Sequence, residues 1–114
     1  MDTPMEAIVI LTNLPDQASA EHLARRLVET KSAACVNILA PCVSIYRWQG
    51  AIETAHEVPV LIKTLRTHYH KVEQCVRECH PYALPEIIAL PIVAGLPDYL
   101  AWIATETGDD QMGA

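Results

Sequence analysis

Three side chains near one another in the chain have the chemistry to hold a metal ion: the thiol of Cys79, the imidazole of His80 and the carboxylate of Glu86. Together they make the donor set that copper or zinc takes. A further thiol, Cys75, stands one helical turn before Cys79, a spacing that suits chelation and equally an apolar stripe. Each candidate has a structural alternative. His80 could cap a helix C-terminus, where an imidazolium meets exposed carbonyls, and Glu86 could pair with Lys63. His68 and His70 lie two apart, point in different directions on a helix and read as surface residues, as does His22. Cys35 and Cys42 sit among Ala, Val and Ile and read as small core residues. With no CxxC pair and no dense cysteine framework, reduced thiols are expected. No nucleophile elbow, P-loop, HExxH or dinucleotide fingerprint is present, so the chain is not expected to be an enzyme.

The elements that must position these groups follow from pattern. The 114 residues suit one domain, expected over 1–107, with 108–114 as a flexible tail. Hydrophobic residues are 51% and charged residues 19%, which excludes a disordered chain and leaves an apolar surface that favours an oligomer. The formal charge of −6 repels DNA and RNA, so no nucleic-acid partner is expected, whereas a cationic ligand is welcome. The start lacks a basic n-region and its apolar run is too short to span a bilayer, so a cytoplasmic protein with no membrane partner is expected.

Ala7 to Leu11 reads as a central strand ended by Thr12-Asn13-Leu14-Pro15. Asp16 is the expected N-cap of an amphipathic helix with Ala20, Leu23, Ala24, Leu27 and Val28 inward. Ala33 to Thr64 alternates as two long strands folded back near Gly50, with Ala40-Pro41 breaking the outgoing one and Val58, Val60 and Ile62 facing inward. A second helix is expected to start with Thr67 as N-cap, carry Tyr69, Val72, Val76 and Cys79 inward, and stop at His80-Pro81. Glu86 to Ile92 makes the last strand, and Pro97 opens a short helix bearing Leu100, Trp102 and Ile103. This order is α+β, a ferredoxin-like βαββαβ with an added C-terminal helix and an antiparallel sheet. In it the end of the first strand meets the start of the last, bringing Thr12 near Glu86 and the end of the second helix to the same side.

The residues also resemble a known family, the CutA divalent-cation tolerance proteins. The resemblance rests on SAACVNI, SIYRWQG, the IKT at Ile62 to Thr64, HPY-x-x-PEI from His80 to Ile87, LPI, GLPDYLAWI and the ET at Glu106-Thr107. It implies a cytoplasmic homotrimer with the architecture of PII signalling proteins, its hairpin strands extending sheets across subunit boundaries. It also implies tolerance of copper and other divalent cations, with no required cofactor and with copper or another divalent cation as ligand. A second expectation is a PII-like sensor that binds a small anionic metabolite in an inter-subunit cleft. There Lys63, Glu53, Tyr46, Trp48, Tyr82 and Trp102 would line the cleft, although the aromatics serve equally to pack subunits together. Ala83 after HPY and Ala51 after the turn glycine depart from the polar residues that many relatives carry there.

Overall fold

Alternating burial lays out the sheet. In β1 (Ala7–Leu14) the side chains of Ile8, Ile10, Thr12 and Leu14 all turn to one buried face. The strand therefore runs past the expected stop at Leu11, because Leu14 still finds an antiparallel partner in Val58 and a place in the core. The computed structural model describes residues 6–108; the residues from 109 onward, where a flexible tail is expected, lie outside them. The remaining elements are α1 (Gln17–Glu29), β2 (Cys35–Ile38), β3 (Cys42–Trp48), β4 (Ala51–Leu65), α2 (Tyr69–Cys79), β5 (Ile87–Pro91) and α3 (Pro97–Glu106). This is the ferredoxin-like arrangement, with strand order β2-β4-β1-β5 and every pairing antiparallel.

Asp16 caps α1 as expected, its carboxylate accepting from the Ser19 amide at 2.8 Å. That hydrogen bond, joined by one from the Ser19 hydroxyl, holds the Asp16 carboxyl below the usual range. Ala20, Leu23 and Leu27 bury the inner stripe of α1, while Val28 lies past its edge and is exposed. They pack with Val72, Cys75 and Val76 of α2 against Val58, Val60 and Ile62, so both helices cover one face of the sheet. Among the described residues the other face is covered at one end. There Ile103 of α3 packs on Ala7 and Leu65, leaving Ile88 and Leu90 of β5 exposed.

The long strand β4 is the spine. At ~3.3 Å per residue it spans about 50 Å, nearly the whole 51 Å length of the molecule. Its second half pairs with β1 and β2, whereas Ala51 to Glu57 pair only with β3. The result is a two-stranded ribbon projecting from the sheet. Gln49 and Gly50 reverse it, both at positive φ (50° and 83°), as a tight hairpin turn between right-twisted strands demands. The chain breaks out of β2 at residues 39–41, where Pro41 has no amide hydrogen to offer a ladder. On the ribbon, Ile45 is 71% exposed and Ile52 68% exposed.

The start of α2 differs from expectation. Arg66–His68 form a 3-10 turn, the α-helix begins at Tyr69, and Thr67 makes no capping bond. The turn also draws His68 partly under cover, against the expectation of a surface residue, beside the backbone of Thr107. Burial, and then the positive charge of Lys71, lower the His68 pKa below its ordinary 6.5, with the Thr107 hydrogen bond opposing them. The unfolded chain thus takes up this proton more readily than the folded one. Stability is full above the ordinary histidine value and is lost as pH falls through the lowered one. Between about pH 7.5 and about pH 5.5, the melting temperature should fall more for the natural chain than for a His68→Gln variant, measured in matched buffers.

Candidate functional site

The end of β1 is where two of the three candidates, His80 and Glu86, meet, and Asn13 joins them. The His80 ring, at 8% exposure, bonds through Nε2 to the Asn13 carbonyl, while its Nδ1 accepts from the Tyr82 amide at 3.2 Å. Nδ1 being the acceptor, Nε2 carries the proton and donates. The Asn13 side-chain amide donates in turn to Glu86 Oε1 at 2.9 Å. His80 also ends α2 by its backbone, whose amide donates to the Val76 carbonyl at 2.8 Å. Its imidazole, however, ties the helix end to β1 rather than to the helix's own last carbonyls. Asn13 was read only as part of a strand terminator, and the extension of β1 through it is what places it here.

Cys79 goes elsewhere. Successive helical residues are turned by ~100°, so the residue before His80 faces α1 instead of β1. Its Sγ accepts from Arg26 Nη1 at 3.4 Å, and Arg26 Nη2 binds Glu78 at 2.8 Å. The expected chelate of Cys79, His80 and Glu86 is therefore not assembled within this chain. The only ring lone pair of His80 is spent on Tyr82, and among the described residues no group of three His, Cys, Asp or Glu side chains is arranged to hold a metal.

Glu86 does not pair with Lys63. The register sets Lys63 opposite Val9, while Ile87, next to Glu86, sits opposite Thr12, about 10 Å further along β1. Lys63 Nζ instead lies 5.9 Å from the centre of the Tyr99 ring, a cation–π arrangement, and Tyr99 stacks at 5.5 Å on Trp102. The six expected cleft residues thus fall into two groups. Tyr46, Trp48 and Glu53 share one face of the ribbon, with Tyr46 directly opposite Glu53. Lys63 and Trp102 lie at the far end of β4, about 33 Å along the strand from Glu53. Tyr82 belongs with the ribbon's root. Partial burial raises its pKa, and the negative charge of Glu57 and a hydrogen bond from the phenol to it add to the effect.

Glu57 is the residue that sequence reasoning missed. It is 9% exposed, on the same ribbon face as Tyr46. The signal was available, since a glutamate directly before the inward Val58 must lie where the ribbon leaves the sheet. Cys35 and Cys42 also depart from expectation, being partly exposed and outside both core clusters. Cys35 pairs across from Lys63 and so turns to the face away from α1 and α2.

With this geometry in place, comparison with known proteins is informative. The model of the CutA1 divalent ion tolerance protein family matches residues 8–106. A divalent-cation tolerance protein CutA of Thermus thermophilus is 43% identical over 104 residues, which cover 91% of this chain and 100% of that one. The crystal structure of CutA from Xylella fastidiosa is 46% identical with a TM-score of 0.88, covering 90% of this chain and 99% of that one. A structure from Archaeoglobus fulgidus, described as a periplasmic divalent cation tolerance protein CutA, is 38% identical with a TM-score of 0.87, over 90% of this chain and 99% of that one. Among the described residues no helix is long and apolar enough to cross a membrane. Fold and sequence agree over nearly the whole length, and the chain belongs to the CutA1 divalent ion tolerance protein family.

Proposed function

We propose that the protein acts as a homotrimer that binds divalent cations, copper foremost and zinc second, as part of the cellular response to metal ions. Membership in a family of tolerance proteins, not of enzymes, sets the frame. The observation that carries the proposal is the convergence of His80 and Glu86 on Asn13 at one end of the sheet. Glu86 is exposed, so its carboxylate is open to a cation, and the net charge of −6 draws cations toward the surface. One subunit supplies too few donors there. The site is completed where subunits meet, and a cation gains His80 by displacing the Tyr82 amide from Nδ1.

Trimer formation is supported by what one subunit leaves bare: the ribbon's Val43, Ile45 and Ile52, and the Ile88 and Leu90 face of β5. A lone two-stranded ribbon is marginal in water, and exposed apolar surface on this scale marks an interaction site. A cytoplasmic location is part of the proposal, supported by four free thiols and no disulfide.

Calorimetric titration with copper(II) and zinc tests the metal site, beside Glu86→Gln and a His80→Ala/Glu86→Ala variant whose assembly is checked first. Saturable binding that Glu86→Gln weakens and the double change removes is the expected result. Binding indifferent to both would sink the proposal. Stabilisation by a small anionic metabolite instead of a metal would favour the sensor reading, in which Lys63 and Glu53 come from different subunits.

A further inference from the structure

A second group of donors lies apart from Asn13, on the face of α2 that meets α1. Cys75 and Cys79 occupy adjacent turns there, close enough for Cys79 to act on the Cys75 thiol electrostatically. Side chains four apart on a helix have Cβ atoms about 5–6 Å from one another, a span that a single bridging ion between two sulfurs can close. Cys75 is buried in the main core cluster and Cys79 is half-buried against it. The floor of the site is apolar, with Val72 and Val76 beside the thiols and Leu23 and Leu27 in the same cluster.

Over this pair stands one cation. Arg26 of α1 directs Nη1 to Cys79 Sγ at 3.4 Å and is close enough to both thiols to act on each electrostatically. Its other arm is fixed by Glu78 at 2.8 Å, and Gln74 holds the second Glu78 oxygen at 3.2 Å. The guanidinium is thus held in place over the sulfur. In the resting chain the Cys75 thiol stays protonated. Burial above all, with the neighbouring Cys79, pushes the Cys75 thiol up to about 11.

We propose that Cys75 and Cys79 form a two-coordinate site for a monovalent thiophilic cation, Cu(I), with Arg26 as its positioning residue. Two soft sulfurs with a dry floor suit Cu(I), which takes thiolate ligands and needs fewer of them than zinc in a four-donor structural site. On binding, both S–H protons leave to solvent, two S–Cu bonds form, and no electron moves because copper enters and stays as Cu(I). The Cu(I) dithiolate carries one negative charge, and Arg26 lies against it. This site is separate from the one proposed at Asn13, since Cys79 faces α1 and His80 faces β1.

The test is a competition titration of the intact reduced protein, without oxygen, against Cu(I) held by a bathocuproine chelator. Cys79→Ser and Cys75→Ala are compared with Cys35→Ser/Cys42→Ser, Arg26→Gln and Glu86→Gln. One Cu(I) per chain is expected, kept by the Cys35/Cys42 variant and by Glu86→Gln, and lost on either change at 75 or 79. Arg26→Gln should weaken it about tenfold or more, the scale of an outer partner of a metal ligand. In the natural chain, Cu(I) should also shield Cys79 from iodoacetamide, read by mass spectrometry, which needs no variant to fold. Retention of Cu(I) by Cys79→Ser, its loss with the Cys35/Cys42 change, or alkylation of Cys79 at an unchanged rate would each overturn the site. Loss with Glu86→Gln would do the same by placing Cu(I) at the Asn13 end.

Discussion

Replacing Val60 with Asp should leave no soluble folded protein. Val60 is 0% exposed, paired across β4 to Thr12 on one side and Ile38 on the other, and packed under both helices. A carboxylate there meets an apolar cluster that contains no cation, and the Thr12 hydroxyl opposite is the one polar neighbour the pairing gives it. Burying an isolated charge costs several kcal/mol even after relaxation, and a domain of this size has only ~5–15 kcal/mol in hand. Protonating the new side chain lessens the penalty without removing it, because the single Thr12 hydroxyl cannot satisfy both its hydroxyl and its carbonyl. Soluble yield and gel-filtration profile are the measurements. A normal profile with an unchanged melting point would mean that β4 is turned over by one residue, with every side chain on the opposite face.

The second large effect belongs to the ribbon. In the proposed trimer, exchanging Ile45 and Ile52 for Lys should leave single chains, read as mass by light scattering. Both residues extend from the same ribbon face, because the register sets Ile45 opposite Thr54 and Arg47 opposite Ile52. Neither is needed inside its own subunit, being 71% and 68% exposed. If a neighbouring subunit covers them, each exchange removes about 1.5–3 kcal/mol of burial per copy, repeated at every interface of the ring. It also sets a lysine against apolar surface. Single chains that keep helical circular dichroism would locate the effect in assembly. Unchanged mass would show that the ribbon's Ile45 and Ile52 face water and that assembly, if present, uses other surface.

What could be read from the sequence depended on whether a feature was periodic. Val58, Val60 and Ile62 alternate, Leu23 and Leu27 recur with the helical turn, Asp16 precedes a helix, and each was assigned correctly because local geometry repeats. Ends were harder. β1 continues to Leu14 because Thr12, polar by type, fills a core position whose neighbours are apolar, with no partner for its hydroxyl. Site geometry was least legible. That Cys79 and His80 are consecutive in the chain suggested one site, yet consecutive residues on a helix are directed apart, and these two bond to different elements. The same holds for the cleft. Lys63 and Glu53 share a strand, and an extended strand keeps its residues as far apart as a chain can.

The division of β4 between two sets of partners also orders the events of folding. Trp48 meets Ala51 across a two-residue turn, whereas Ala7 must find Leu65 across most of the chain. The ribbon is thus the quick, local event and the main sheet the slow, distant one. The ribbon's apolar face is bare while the core is still searching for its register, and among the described residues no element of the same chain covers it. In the proposed trimer its shelter comes by collision with another chain. The last stage of that trimer's maturation would then depend on chain concentration, and in dilute solution the subunit would wait on encounter, not on its own folding.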